Sequence, residues 1–327
     1  MADPIDWFSV AQEPSERSDD DLEAVLLADP EDLRARVQLL SRYQLKIFDA
    51  QAQARFHAHI YWMIEHHPEV RCAYMIFADF WPDAYREAKR LWMAVLAARP
   101  DDPVILNNAS GFLLHDRDLA RDLMLRGAAL EPTVAHWHHS LGFLYMLDAF
   151  EAQADEDRLR AAREALAEAE RALELTPDPA EQLDRLVDLI KAASMAGELE
   201  RSSELAGRIL AIAAVSADPP PRRLADGIHH AHAALGNAAL ANGDLATALA
   251  ELRAAGIGAD VVAAPGVLGP DLTLATALLQ QGEQHAVLEY LDAVGKGWQC
   301  PRHLNRWKAM IRTGETPSFR LTRGAMP

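Results

Sequence analysis

LADPEDLRARV (residues 27–37), IEHHPEVRCAY (64–74), AARPDDPVILN (97–107), ALEPTVAHWHH (129–139) and ELTPDPAEQLD (174–184) are variants of one phrase. Each is an apolar helical run, then acid and proline, then a second helical run. The prolines, Pro30, Pro68, Pro100, Pro132 and Pro177, stand 38, 32, 32 and 45 residues apart. A period in the thirties closed by proline marks stacked helix-turn-helix units. The phrase therefore predicts an all-α chain, a right-handed α-solenoid of about six or seven helix pairs.

A chain of 327 residues is long for one globular core, but a solenoid grows by adding units and escapes that limit. Alanine, leucine, arginine and glutamate dominate, which favours helix nearly throughout. Cys72 and Cys300 form no spaced framework and read as packing residues of a reducing compartment. The start, MADPIDWFSV, lacks a basic segment followed by an apolar one, and no run approaches spanning length. These features predict a cytoplasmic protein without a membrane partner. The net charge of −17 argues against nucleic acid, whose binders present a basic face. Residues 1–32 hold eleven acids against Arg17, and residues 296–327 hold seven bases against Glu315. Such ends can attract each other between chains, which makes a homo-oligomer one expectation; two solvated termini are the plainer one.

Three segments follow. Residues 1–19 read as a flexible acidic arm, with Trp7 and Phe8 able to dock. Residues 20–215 hold five helix pairs, at about 32–67, 70–99, 103–130, 135–177 and 180–215. In the fourth, AFEAQADEDRL reads as an inserted polar connection. Residues 216–327 open with SADPPPRRLADG, a proline-rich break read as non-helical. A sixth pair turns at Asn242-Gly243-Asp244, a loop carries Pro265 to Pro270, and a last pair turning at Gly282, with a short terminal helix containing Trp307, reads as a helical cap before a basic tail. The fourth and sixth units share Leu-Gly, at Leu141–Gly142 and Leu235–Gly236, with Tyr145 completing the leucine-glycine-tyrosine core of a tetratricopeptide first helix.

Those units, with ADPEDLRARVQLLSRY, HAHIYWMIEHHPE, GPDLTLATALLQQGEQHAVLEYLDAVGKGW and the closing LNRWKAMIRTGETPSF, carry a family likeness. Over roughly residues 20–318 the chain resembles the uncharacterised bacterial tetratricopeptide-like (TPR) repeat proteins. Relatives typically hold asparagine where this chain has His232. The resemblance implies the fold and brings no activity, substrate or cofactor with it.

Histidine offers the sharpest chemical reading. Ten of the thirteen lie in three clusters: His57, His59, His66 and His67; His136, His138 and His139; His229, His230 and His232. Residues three apart share a helix face, which makes His136 with His139, and His229 with His232, candidate ligands for a divalent transition metal. Ordinary packing or surface histidines are the alternative. With Leu141 set against Leu235, His138 matches His232 and His136 matches His230. First helices of such repeats line the groove, so Asn107, Asn108, His136, His139, Phe143, His230 and Asn237 are candidate groove residues. Asp226 stands one turn before His229 and His230 and either orients an imidazole or caps its helix. The aromatic set Tyr61, Trp62, Phe77, Phe80, Trp81 and Trp92 reads as the interior of the first units. Phosphate loops, dinucleotide fingerprints, H-E-x-x-H and nucleophile elbows are absent. The leading expectation is a scaffold whose groove takes a protein segment or small ligand. The alternative is a metal-dependent or acid–base enzyme using His229, His230 and Asp226.

Overall fold

The computed structural model describes residues 7–13, 16–46, 48–71, 76–216, 220–259, 270–297 and 301–319. Every regular element among them is an α-helix. They belong to two compact units, Met1–Thr133 and Val134–Pro327. No helix among the described residues is long and apolar enough to cross a membrane.

The first unit holds α1 (Trp7–Gln12), α2 (Asp19–Ala28), α3 (Leu33–Tyr43), α4 (Ala50–His66), α5 (Pro82–Ala98), α6 (Pro103–Phe112) and α7 (Arg117–Leu130). Pro30, Pro68, Pro100 and Pro132 each follow directly on a helix C-cap: Asp29, His67, Arg99 and Glu131. The repeat phrase is thus a stop signal, because proline cannot continue the helix it follows. An acid then restarts the chain, as when the Asp32 and Asp102 side chains accept from the first free N–H groups of α3 and α6.

Three expectations are corrected here. Residues 76–81 are not helical, so the segment before α5 is no first helix of a pair. Pro82 stands at the first position of α5, and the residue before a proline is driven out of helical geometry; Trp81 sits at φ −133°, ψ 67°. Phe77 and Phe80, read as interior, are 47% and 72% exposed, while Trp92 is buried. Within the supposed arm, residues 7–12 form α1, which packs on α3 and buries Val10. The acids of this end pair locally: Asp19 with Arg42 and Lys46, Asp20 with Arg55, Glu13 with Arg34 and Glu31 with His67.

The second unit holds α8 (Ala135–Glu151), α9 (Asp155–Glu174), α10 (Pro179–Met195), α11 (Leu199–Ala213), α12 (Arg222–Ala241), α13 (Leu245–Ala259), α14 (Thr273–Gln280), α15 (Gln284–Gly297) and α16 (Pro301–Arg312). The expected boundary at 215–216 falls inside it, with α11 packed on α12. The polar stretch after Leu147 forms no long loop, because its alanines and acids extend α8 to Glu151 and start α9 at Asp155. Three acids in the first turn of α9 complement the helix dipole. The proline-rich break ends at Pro221, and RRLADG is the first part of α12. The loop with Pro265, Gly266 and Gly269, together with Cys72 and Cys300, lies outside the described residues.

One turn recurs. Between α10 and α11, α12 and α13, and α14 and α15, a glycine at positive φ (Gly197 74°, Gly243 77°, Gly282 89°) precedes an acid. In each case that acid's N–H returns to a carbonyl five residues back: Glu198 to Ala193, Asp244 to Ala239, Glu283 to Leu278. Only glycine takes this left-handed position without strain, and the paired bonds satisfy the orphan carbonyls of the helix end. First helices pack on first helices, α8 on α10, α10 on α12 and α12 on α14.

Two helical glycines differ in what a side chain would meet. A Cβ at Gly142 would lie 3.5 Å from the backbone of Ala165 and Ala169, ordinary contact. At Gly227 it would lie 2.8 Å from Val187 Cγ2 and 3.2 Å from Ile209 Cγ2, both in the core. Gly142→Ala is therefore expected to stabilise by about 0.5–1 kcal/mol through helix propensity. Gly227→Ala is expected to destabilise by about 1–3 kcal/mol through overpacking. Thermal unfolding followed by circular dichroism reads both, and equal signs would contradict the packing described.

Candidate functional site

On α10, Asp184, Asp188 and Lys191 stand at i, i+4 and i+7; on α12, Arg223, Asp226 and His230 stand at i, i+3 and i+7. Both spacings place the three side chains on one helix face. The faces meet with charges alternating. Arg223 reaches Asp184 at 3.1 Å and Asp188 at 2.5 Å, and Lys191 Nζ donates to Asp226 Oδ2 at 2.6 Å. Arg223 also stands 3.5 Å from Asp226, and His230 Nε2 stands 3.6 Å from Asp226 Oδ1. The row continues past both helices: His139 Nδ1 of α8 lies 3.3 Å from Asp188 Oδ2, and Asp271, two residues before α14, lies 3.7 Å from His230 Nδ1. The result is a ladder of ionisable side chains that runs from α8 through α10 and α12 to the segment leading into α14.

Burial opposes ionisation of Asp188, yet His139 and Arg223 hold it down to about 2. Burial likewise opposes ionisation of Asp226, and His230, Lys191 and Arg223 outweigh it. Asp271 is held well below the usual carboxylate range against its burial, by His230 and by the hydroxyl and N–H of Thr273. Asp226 is thus neither exposed nor an N-cap; α12 starts four residues earlier, and the carboxylate is spent on the ladder.

The histidines fall into distinct roles. The backbone N–H of Asp271 donates to His229 Nε2 at 3.0 Å, and a backbone N–H cannot accept. Nε2 is therefore unprotonated, and Nδ1–H donates to the Ala255 carbonyl at 3.1 Å. Burial pushes His229 down to about 4, so it is a neutral bracket with both nitrogens occupied, unsuited to the acid–base role expected of it. His230 is its opposite, buried with neither nitrogen hydrogen-bonded. His138 Nδ1 and Glu168 Oε2 lie 2.7 Å apart, as do His232 Nδ1 and Glu251 Oε2. These equivalent pairs, each four residues before the glycine of a Leu-Gly, tie a first helix to its second helix. His136 Nε2 lies 3.4 Å from Ser140 Oγ. Among the described residues no three His, Cys, Asp or Glu side chains are grouped to hold a metal ion, so His136, His139, His229 and His232 are not brought together as a ligand set.

Of the expected groove residues, Asn107 and Asn108 belong to the first unit, where Asn108 donates to the Pro68 carbonyl at 2.9 Å. Phe143 packs against the core of the second unit and, with Met146, Arg185, His139 and Asp188, lines a narrow cleft. Asn237 borders an open groove of about 370 Å³ with Ser194, Leu199, Leu240, Thr273 and Ala277. That volume suits a small ligand or a few side chains. Asn237 Nδ2 donates to Thr273 Oγ1 at 2.8 Å, and Thr273 Oγ1 donates to Asp271 Oδ1 at 2.6 Å, which joins the groove to the ladder. Ser194 Oγ is buried without a partner. Sequence reasoning missed Ser194, Thr273, Lys191 and Asp188; the i, i+4, i+7 charge spacing on α10 was the available signal.

The depressed Asp188 carboxylate has a stability consequence. An ordinary aspartate titrates near 3.9, so the ion pair contributes fully above about pH 4 and is lost as pH falls toward 2, about 2 kcal/mol in all. Asp188→Asn is expected to lower stability at neutral pH and to flatten that acid limb. Chemical unfolding at several pH values checks this, and an unchanged acid limb would refute the assignment.

Comparison with protein-family models gives no match and comparison with curated proteins gives none, so the reading of the site rests on its own residues.

Proposed function

We propose that the second unit is a tetratricopeptide-like right-handed solenoid of the bacterial kind the sequence resembles, acting as a binding scaffold. Its first helices form the inner face, and the groove at Ser194, Asn237 and Thr273 takes an extended protein segment or a small ligand. Support for the repeat comes from the recurring glycine-acid turn, the packing of first helix on first helix, and the paired His–Glu locks. The observation that carries the binding role is the groove itself. It is open, sits where three first helices meet, and sets apolar walls at Leu199, Leu240 and Ala277 beside the polar residues Ser194, Asn237 and Thr273. Apolar contact with a few placed polar groups is what gives a site both affinity and orientation.

A second reading, an acid–base enzyme, gains from one observation. His139 presents one ring nitrogen to the carboxylate of Asp188, itself fixed by Arg223, and its side chain is 33% exposed. A carboxylate-oriented imidazole reaching solvent is an arrangement general bases use.

Panning a random-peptide display library on the full chain tests the proposal. Enriched peptides are expected to bind the wild type and to lose about tenfold in affinity on Asn237→Ala, the loss of about one hydrogen bond, with folding unchanged. Peptides indifferent to Asn237→Ala and to Leu240→Asp would refute the groove. Cleavage of bound peptides by the wild type, absent from His139→Ala, would favour the enzyme.

A further inference from the structure

His230 is the anomaly of the ladder. Its side chain is 8% exposed, and both ring nitrogens lack a hydrogen bond, although a buried polar group without one is costly. Each nitrogen instead faces a carboxylate just beyond hydrogen-bond reach, Asp226 Oδ1 at 3.6 Å and Asp271 Oδ2 at 3.7 Å. A neutral imidazole satisfies at most one of these, since its other nitrogen turns a lone pair toward a carboxylate. An imidazolium presents an N–H to both. The proton, exchanged with solvent, is what makes the two carboxylates attractive neighbours of the ring.

Asp271 is also the anchor of the groove wall. Its Oδ1 accepts from Thr273 N at 2.9 Å and from Thr273 Oγ1 at 2.6 Å, and Thr273 Oγ1 accepts from Asn237. The opposite oxygen of the same carboxylate faces His230. We propose that His230 is a proton-operated latch on the groove: protonated, it draws the Asp271 carboxylate toward α12 and with it fixes Thr273 and Asn237; deprotonated, it lets that carboxylate go, while His229 and Tyr290 keep hold of the Asp271 backbone.

The other groups around the ring leave this role to His230. From α10, Lys191 neutralises Asp226, and Asp188 is held through Arg223 of α12. His229 lies edge-on to His230 with ring centres 5.1 Å apart and is committed to Ala255 of α13 and to the Asp271 N–H. From α15, Tyr290 donates its hydroxyl to the Asp271 carbonyl at 2.8 Å, and burial keeps it un-ionised. Glu251 of α13 is taken by His232. Apart from His230, Lys191 and Arg223 favour the ionised form of Asp226, and the hydroxyl and N–H of Thr273 favour that of Asp271.

The latch regulates the groove proposed above and takes its purpose from that reading, but its test needs no ligand. The full chain, labelled in histidine, asparagine and threonine, is titrated by NMR between about pH 5 and 9, the range in which imidazoles change charge. His230 is assigned through its contacts with His229. The Asn237 side-chain amide and the Thr273 backbone amide are expected to follow one proton with the midpoint of His230. In His230→Gln they are expected to stay still, and in His232→Gln to titrate as before. Different midpoints in the wild type, or continued titration in a folded His230→Gln, would overturn the latch. If His230→Gln fails to fold, the wild-type midpoints alone decide. A latch that titrates over a groove that binds no peptide would separate failure of the groove from failure of the latch.

Discussion

Two carboxylates, Asp226 and Asp188, lie ionised between first helices of the second unit, and everything around them answers to that constraint. A buried charge is tolerated only when paired and hydrogen-bonded. Lys191 and Arg223 supply the pairing, with Lys191 and Asp226 only 11% and 10% exposed. Because each charge comes from a different helix, the pairing also fixes the register of α10 on α12. A slide of one turn would set Asp188 beside Asp226 and leave Lys191 without a partner. Apolar residues on the same helices, Val187, Leu189 and Ile190 among them, supply burial, which is non-directional. The ion pairs supply the direction.

Second helices are tied in differently. His138–Glu168 and His232–Glu251 join each first helix to its own second helix at equivalent positions. The first unit uses the same chemistry for local ends. Arg36 can only donate, so His59 accepts at Nδ1 (3.0 Å) and turns Nε2–H to Glu23 (3.2 Å), which also accepts from Tyr43 at 2.8 Å. Histidine thus serves as a connector between helices at His59, His138, His229 and His232.

What the sequence made legible follows from local physics. Proline after a C-cap and glycine at a left-handed turn act within a few residues, so the helix pairs at 32–67, 103–130 and 180–215 are readable. The equivalence of His138 and His232 also came from a local match of Leu141 to Leu235. Contacts set by packing were not readable. Asp226 reads in the sequence as an imidazole partner or a cap, because nothing local marks Pro221 as the residue before α12. Phe77 and Phe80 read as interior from their aromatic character, and only packing shows that both are exposed. The groove joins Ser194, Asn237 and Thr273 from three helices, and no spacing within one helix announces such a meeting.

Opposed charges on α10 and α12 hold the two helices in register only if they are coupled, not merely near. A double-mutant cycle of Lys191→Met and Asp226→Asn, read by chemical unfolding of the full chain, measures that coupling. An interaction energy above about 1 kcal/mol is expected, because each single change strands a buried partner and the pair of changes does not. Additivity within about 0.5 kcal/mol would mean that the two side chains do not hold the helices together, and the ladder would be an incidental row of charges.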